Sequence, residues 1–198
     1  MLRTLTALVV LALAHGPPTA DPVVHWRHST SLGRPDHGSL VNGVQLPAEG
    51  ITFFTWDPVL LRSPDRGWRR WGNDRLVRMV LQVVGEYWLE NPDAPRVCIG
   101  DLSRRHGGDF QPKHASHQNG LDVDVYYPRT DRRERPPRFA AQIHHRLAQD
   151  LVDSFVAAGA VLVFVGPNTG LTGPRGVVEV LWNHDNHLHA RFTAHSRP

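Results

Sequence analysis

Two short windows of the chain hold residue types that bind a transition metal at an open site: His114 to Asp124 (HASHQNGLDVD) and His184 to His189 (HDNHLH). In the first, Asn119-Gly120 is a turn signal, because both residues tolerate positive φ. The chain can reverse there and carry His117 back to a strand bearing Asp124. In the second, His187 and His189 stand two apart in an extended run, on one face and roughly 6 to 7 Å apart along it. That separation suits one ligand beside one catalytic or orienting histidine. Two imidazoles and one carboxylate leave a tetrahedral zinc with its fourth position free for water, which is the catalytic rather than the structural pattern. Zinc then brings the pKa of that water toward roughly 7 and polarises a carbonyl. The same donors suit other divalent metals, so zinc is a preference among them. Taken singly, each spacing also fits a solvated strand face with ordinary histidines. Taken together, both windows put polar faces on strands whose opposite faces are apolar.

The elements that must carry these residues can be read from periodicity. Ser31 to Gly50 is broken by Gly33, Pro35, Gly38, Gly43, Pro47 and Gly50, which predicts a long loop-built approach to a first strand at Ile51 to Trp56. Leu76, Val80, Val83, Val84 and Tyr87 form one apolar stripe, predicting a helix over Asp74 to Glu90 that Asn91-Pro92 stops. Val97 to Ile99 reads as a short strand ending at Gly100. Leu121 to Tyr127 alternates strictly, with Asp122 and Asp124 on one face and Val123 and Val125 on the other. Pro128 to Arg138 is charged and proline-bearing, a surface loop. A second helix is expected from about Phe139 to Ala157, ended by Gly159. Ala160 to Val165 reads as a strand buried on both faces. In the last strand, Asn186 to Phe192, His187, His189 and Arg191 share one face. Strands and helices mix without regular βα alternation, which favours α+β with a central, mostly antiparallel sheet and flanking helices over a doubly wound fold.

Composition narrows the setting. At 198 residues, 40% hydrophobic and 21% charged, the chain has the length and apolar content of one domain. Its 22 basic residues against 19 acidic give +3, nearly all of the positive charge being arginine, since Lys113 is the only lysine. So small an excess does not argue for nucleic acid. Cys98 is the only cysteine, which excludes an intramolecular disulfide framework or a zinc site built mainly from thiolates, and its apolar strand suggests an inert core thiol. Arg3, the apolar run Leu5 to Leu11 and the small residues after it read as a secretory signal over residues 1–20, leaving 21–198 as a single domain. The run is too short for a membrane span of roughly 20 residues, and no later stretch approaches that length. There is no HExxH helix and no GxSxG turn. His106, His144, His145 and His195 read as surface residues.

HASHQNGLDVDV together with WNHDNHLHARF resembles the penicillin-insensitive murein endopeptidase family, within the wider group of lysostaphin, D-Ala-D-Ala metallopeptidases and the hedgehog signalling domain. That group is marked by H-x6-D and a later H-x-H, here His117 to Asp124 and His187-Leu188-His189. Ser31-Leu32-Gly33, Leu46 to Gly50 and Ile99-Gly100-Asp101 match as well. The resemblance implies a hedgehog/D-Ala-D-Ala-peptidase-like fold and a zinc peptidase that cuts peptide cross-links of peptidoglycan. It also implies His117, Asp124 and His189 as metal ligands, His114 as a further contact, His187 as base or transition-state stabiliser, and His184 lining the same site. The second-metal loop and cysteine pairs of some members have no clear counterpart here. Two readings remain beside the endopeptidase: a carboxypeptidase trimming D-Ala from stem peptides, and a catalytically idle, zinc-containing wall-binding module. A nuclease built on the HDNH stretch is a more distant one.

Overall fold

The computed structural model describes residues 20–110 and 114–194. All but Ala20 of the expected export signal, and His195, lie outside the described residues. The expected loop-built approach is corrected at its start. Thr30–Arg34 (β1) and His37–Val41 (β2) pair antiparallel across a Pro35-Asp36 turn, with Arg34 opposite His37. Gly33 permits this, since its φ is 69° and a Cβ there would meet the His37 carbonyl oxygen at 2.5 Å. Residues that looked like loop punctuation are the ones a tight hairpin needs.

Val44–Gln45 (β3) is followed by Phe53–Thr55 (β4) and by Trp71–Gly72 (β5), which pairs with β3. The first long helix, Asp74–Glu90 (α1), begins and ends where the stripe predicts. The Asn73 side chain accepts the Arg75 backbone N–H at its start. Val97–Ile99 (β6) and Asp122–Tyr126 (β7) follow, then a short 3-10 turn at Ala140–Gln142 and the helix His145–Ala157 (α2). The expected start of this second helix is therefore corrected. Ile143 is extended and bridges to Arg129, and the helix restarts at His144, whose ring accepts from Leu147 N–H. Phe139, assigned to the apolar stripe, is 54% exposed.

Leu162–Val165 (β8), Val178–Val180 (β9) and His187–Arg191 (β10) complete the chain. The main sheet runs β4-β6-β7-β10-β8-β9, antiparallel across its three inner pairings and parallel at its two outer ones. The architecture is α+β with a mixed sheet. Val97, Ile99, Val123, Val125, Val163, Val165, Leu188 and Ala190 pack with the apolar sides of α1 and α2 in one core. Tyr87 Oη donates to the Leu147 carbonyl and ties the two helices together. β8 is corrected from buried on both faces to one: Leu162 and Phe164 are half-buried, and Phe164 faces the rings of His184 and His189. Cys98 is buried with Phe54 and Tyr126, and burial raises its thiol pKa well above the usual value, as expected of an inert core residue. The Pro128–Arg138 loop is held down by Arg129 on Asp131 and Arg96 on Glu134. No helix among the described residues is long and apolar enough to cross a membrane.

The Asn119-Gly120 turn is stapled to α1, since Gly120 accepts the Asn73 backbone N–H at 2.8 Å. Gly120 has φ 75°, and a Cβ would meet Leu40 Cδ2 at 2.8 Å and the Asn73 nitrogen at 2.9 Å. Gly120→Ala combines left-handed strain with a backbone clash, and should destabilise the fold by roughly 1–3 kcal/mol. Urea denaturation checks this, and an unchanged midpoint would show that the turn is not under this constraint.

Candidate metal centre

Strand register makes the first part of the site. Pairing of β10 with β7 sets His189 opposite Asp124 and Arg191 opposite Asp122. Because side chains alternate, Val123, Val125, Leu188 and Ala190 enter the core while Asp122, Asp124, His187 and His189 share the other face.

The loop ahead of β7 supplies the rest. His117 has φ 69°, a left-handed conformation uncommon outside glycine. Asp122 Oδ2 accepts the His117 backbone N–H at 2.8 Å, while its Oδ1 accepts Arg191 Nε at 2.6 Å. Asp122, read in the sequence as a neighbour of Asp124 on one face, thus clamps the loop that presents His117.

The imidazoles are oriented by what their second nitrogens touch. His117 Nδ1 donates to the Leu102 carbonyl, which can only accept, and its Nε2 stands 3.3 Å from Asp124 Oδ1. His114 sets Nε2 3.0 Å from Asp101 Oδ2 and turns Nδ1 toward Asp124 Oδ2 at 3.8 Å. One donor atom from each of His114, His117 and Asp124 lies within 4.8 Å of the others. Histidines that bind metals characteristically commit the far nitrogen to a carbonyl or carboxylate in this way. His189 comes in from β10, with Nδ1 3.0 Å from Asp124 Oδ1 and Nε2 3.3 Å from Asp122 Oδ1. Among the described residues, that buried Nε2 makes no hydrogen bond. The donor set and the committed second nitrogens of His114 and His117 fit a divalent cation.

Electrostatics follow from burial and proximity. Burial opposes charge on Asp124, but His117 and His189 hold its carboxyl well below the usual range. Burial also works against the imidazolium of His189, yet the Asp122 and Asp124 carboxylates beside it push it up to about 9. His187 is lowered to about 4, chiefly by burial, and is neutral at neutral pH. Its Nδ1 donates to Asn186 Oδ1 at 2.7 Å, leaving Nε2 as a proton acceptor. His184 donates Nδ1 to the Trp182 carbonyl and stacks on His187 with centroids 4.7 Å apart. Ring contacts of 4.9 Å for His114–His117, 4.8 Å for His117–His189 and 6.3 Å for His184–His189 join the rest. All six residues singled out in the sequence are therefore brought to one place.

Behind His114 stands a group to which the sequence reading gave no role. Arg69 grips both oxygens of Asp101, with Asp65 3.7 Å from Arg69 Nε. Burial, helped by the like charge of Asp101, pushes the Asp65 carboxyl to about 8, so at neutral pH it is largely uncharged. The Arg69 charge then falls to Asp101. Arg69 and Asp101 are 32 residues apart, so no local period marks the pair, and a Gly-Asp step after an apolar strand was the only available signal.

The α+β domain thus sets His114, His117 and Asp124 where one atom of each could hold a metal ion. A family model described as penicillin-insensitive murein endopeptidase matches residues 31–156, and the chain belongs to that family. Similar relatives bear the same name: one from Klebsiella pneumoniae (strain 342) is 29% identical over 126 residues, 64% of this chain and 44% of the relative. One from Citrobacter koseri has the same identity and coverage, and one from Salmonella paratyphi C is 28% identical over the same shares. The matched part thus spans less than half the length of these relatives. It includes His114, His117 and Asp124 and ends within α2, so His184, His187 and His189 come to the site through the fold rather than through the matched stretch.

Proposed function

We propose that the protein is a zinc-dependent murein endopeptidase hydrolysing peptide cross-links of bacterial peptidoglycan, of the D-Ala-diaminopimelate type, on a hedgehog/D-Ala-D-Ala-peptidase-like domain. The observation that carries the reading is the pair of committed second nitrogens: His117 to the Leu102 carbonyl and His114 to Asp101, with their other nitrogens turned toward Asp124. His117, Asp124 and His189 would hold the metal, with His114 beside them. When bound, zinc supplies Lewis acidity, polarising the scissile carbonyl and acidifying water. His187 Nε2 accepts the proton lost by the attacking water and returns it to the leaving amine. Asn186 keeps that nitrogen unprotonated by accepting from Nδ1. His184, stacked on His187, limits its ring rotation. Phe164 walls the pocket with an apolar surface against His184 and His189. A signal over residues 1–20 would export the protein to the periplasm or beyond, where this substrate lies.

Mass spectrometry of defined muropeptide dimers incubated with the protein, with and without a chelator, tests the proposal. Dimers should give monomers, chelation should stop this, and added zinc should restore it. Release of free D-Ala would move the reading to a carboxypeptidase. Intact dimers in the presence of zinc-loaded protein that binds sacculi would move it to a wall-binding module.

A further inference from the structure

Joined to the candidate metal centre through Trp68 and Phe110 lies a cleft of about 420 Å³ walled by Trp68, Arg104, Arg105, His106 and Gly107. We infer that this cleft is a carboxylate-binding subsite that holds an acidic group of a peptide substrate beside the metal centre. The inference rests on the peptidase reading above and names a chemical feature of its substrate.

Three observations support it. The first is charge. The guanidinium groups of Arg66, Arg69 and Arg104 lie 5.1, 4.9 and 5.3 Å from the Trp68 ring centroid. Asp57 engages Arg66, and Asp101 engages Arg69. Arg104 and Arg105 are both exposed, and among the described residues no carboxylate pairs with either. Their guanidinium groups meet the indole faces of Trp68 and Trp71 instead. Two planar cations are thus left uncompensated at an aromatic wall, and a guanidinium takes a carboxylate through two parallel hydrogen bonds.

The second is rigidity. Gly107 N–H closes a turn onto the Arg104 carbonyl, Leu40 N–H donates to His106, and Gly108 N–H donates to Gln118 at 2.8 Å. Trp71 N–H donates to Ser103 on the other side. The wall is braced by β2, by β5 and by the loop that carries His117, so little ordering is needed on binding.

The third is continuity. Trp68 packs on Phe110 at 5.7 Å, and Phe110 packs on His114 at 5.0 Å and on His117 at 5.6 Å. Leu102, whose carbonyl orients His117, lies two residues before Arg104. A peptide with its scissile bond at the metal centre therefore has a carboxylate receiver one aromatic ring away.

Binding separates the subsite from the reaction. Isothermal titration of the zinc-loaded full chain with an acidic tetrapeptide, and with the same peptide as its carboxamide, should show roughly tenfold weaker binding of the amide. Arg104→Gln/Arg105→Gln should weaken the acid by a similar factor, leave the amide unchanged and abolish the difference, with thermal unfolding unaltered because both side chains are exposed. Equal binding of acid and amide by the wild type, or a double variant that still discriminates, overturns the inference. So does acid-peptide binding fully displaced by equimolar inorganic phosphate, which would mark a general anion site. If the wild type discriminates acid from amide yet leaves dimers uncut, the peptidase reading fails and the subsite stands.

Discussion

His117→Ala should leave a folded protein that binds no zinc at the centre and has lost at least roughly a thousandfold in cross-link hydrolysis, the scale of several kcal/mol of Lewis-acid stabilisation. The size of the effect follows from how the ring is held. His117 sits at positive φ because Asp122 accepts its backbone N–H, its Nδ1 is fixed by the Leu102 carbonyl, and its Nε2 faces Asp124. Truncation also leaves the Leu102 carbonyl without its donor, so Asp124→Asn serves as the near-isosteric companion. It keeps the volume but removes the charge that His117 and His189 hold ionised. Metal content by elemental analysis and rates on a muropeptide dimer are the readouts. Either variant retaining both metal and rate would remove this residue set from the centre.

His187→Gln is expected to separate chemistry from metal binding. Rate should fall by about 10² to 10⁴ while zinc content stays at the wild-type level, the usual range for losing a positioned general base. Burial brings His187 to about 4. It acts as a base in its neutral form, so its contribution is fully present well above pH 4 and is lost as pH falls through that value. The acid limb of the kcat profile should carry this ionisation in the wild type and lack it in the variant. A variant that loses zinc as well would make His187 a ligand, and one with wild-type kcat would leave it without a catalytic part. Its neighbour His184 donates Nδ1 to the Trp182 carbonyl, and burial lowers its imidazole below the usual value as well.

Some of this was legible in the chain because it is local. The α1 stripe is a period within one element and Asn91-Pro92 stops it, so its ends match the structure. Strict alternation in β7 and β10 sorted valines and leucine from aspartates and histidines, and the register then brought the two polar faces together. The two histidine windows were visible for the same reason, while the part of each residue within them came from the family resemblance. Where long-range contacts decide, the sequence reading erred. Glycines at 33 and 38 look like loop signals but face each other in the β1–β2 hairpin. The apolar stripe from Phe139 runs on without a break, yet the Arg129–Ile143 bridge pulls that segment into extended backbone before α2. Apolar β8 looked buried on both sides, but one side forms the wall of the centre.

By itself the sequence determined the donor types, the strands that alternate, the main helix and the exclusion of an intramolecular disulfide framework, since each depends on composition or on a period of two to four residues. Only the tertiary structure decided which nitrogen of each imidazole is committed, that Asp122 clamps the His117 loop and Asp101 backs His114, and that Arg104 and Arg105 open onto a cleft beside the metal centre. Those are relations between groups far apart in the chain, set by how strands and loops pack, and no local pattern encodes them.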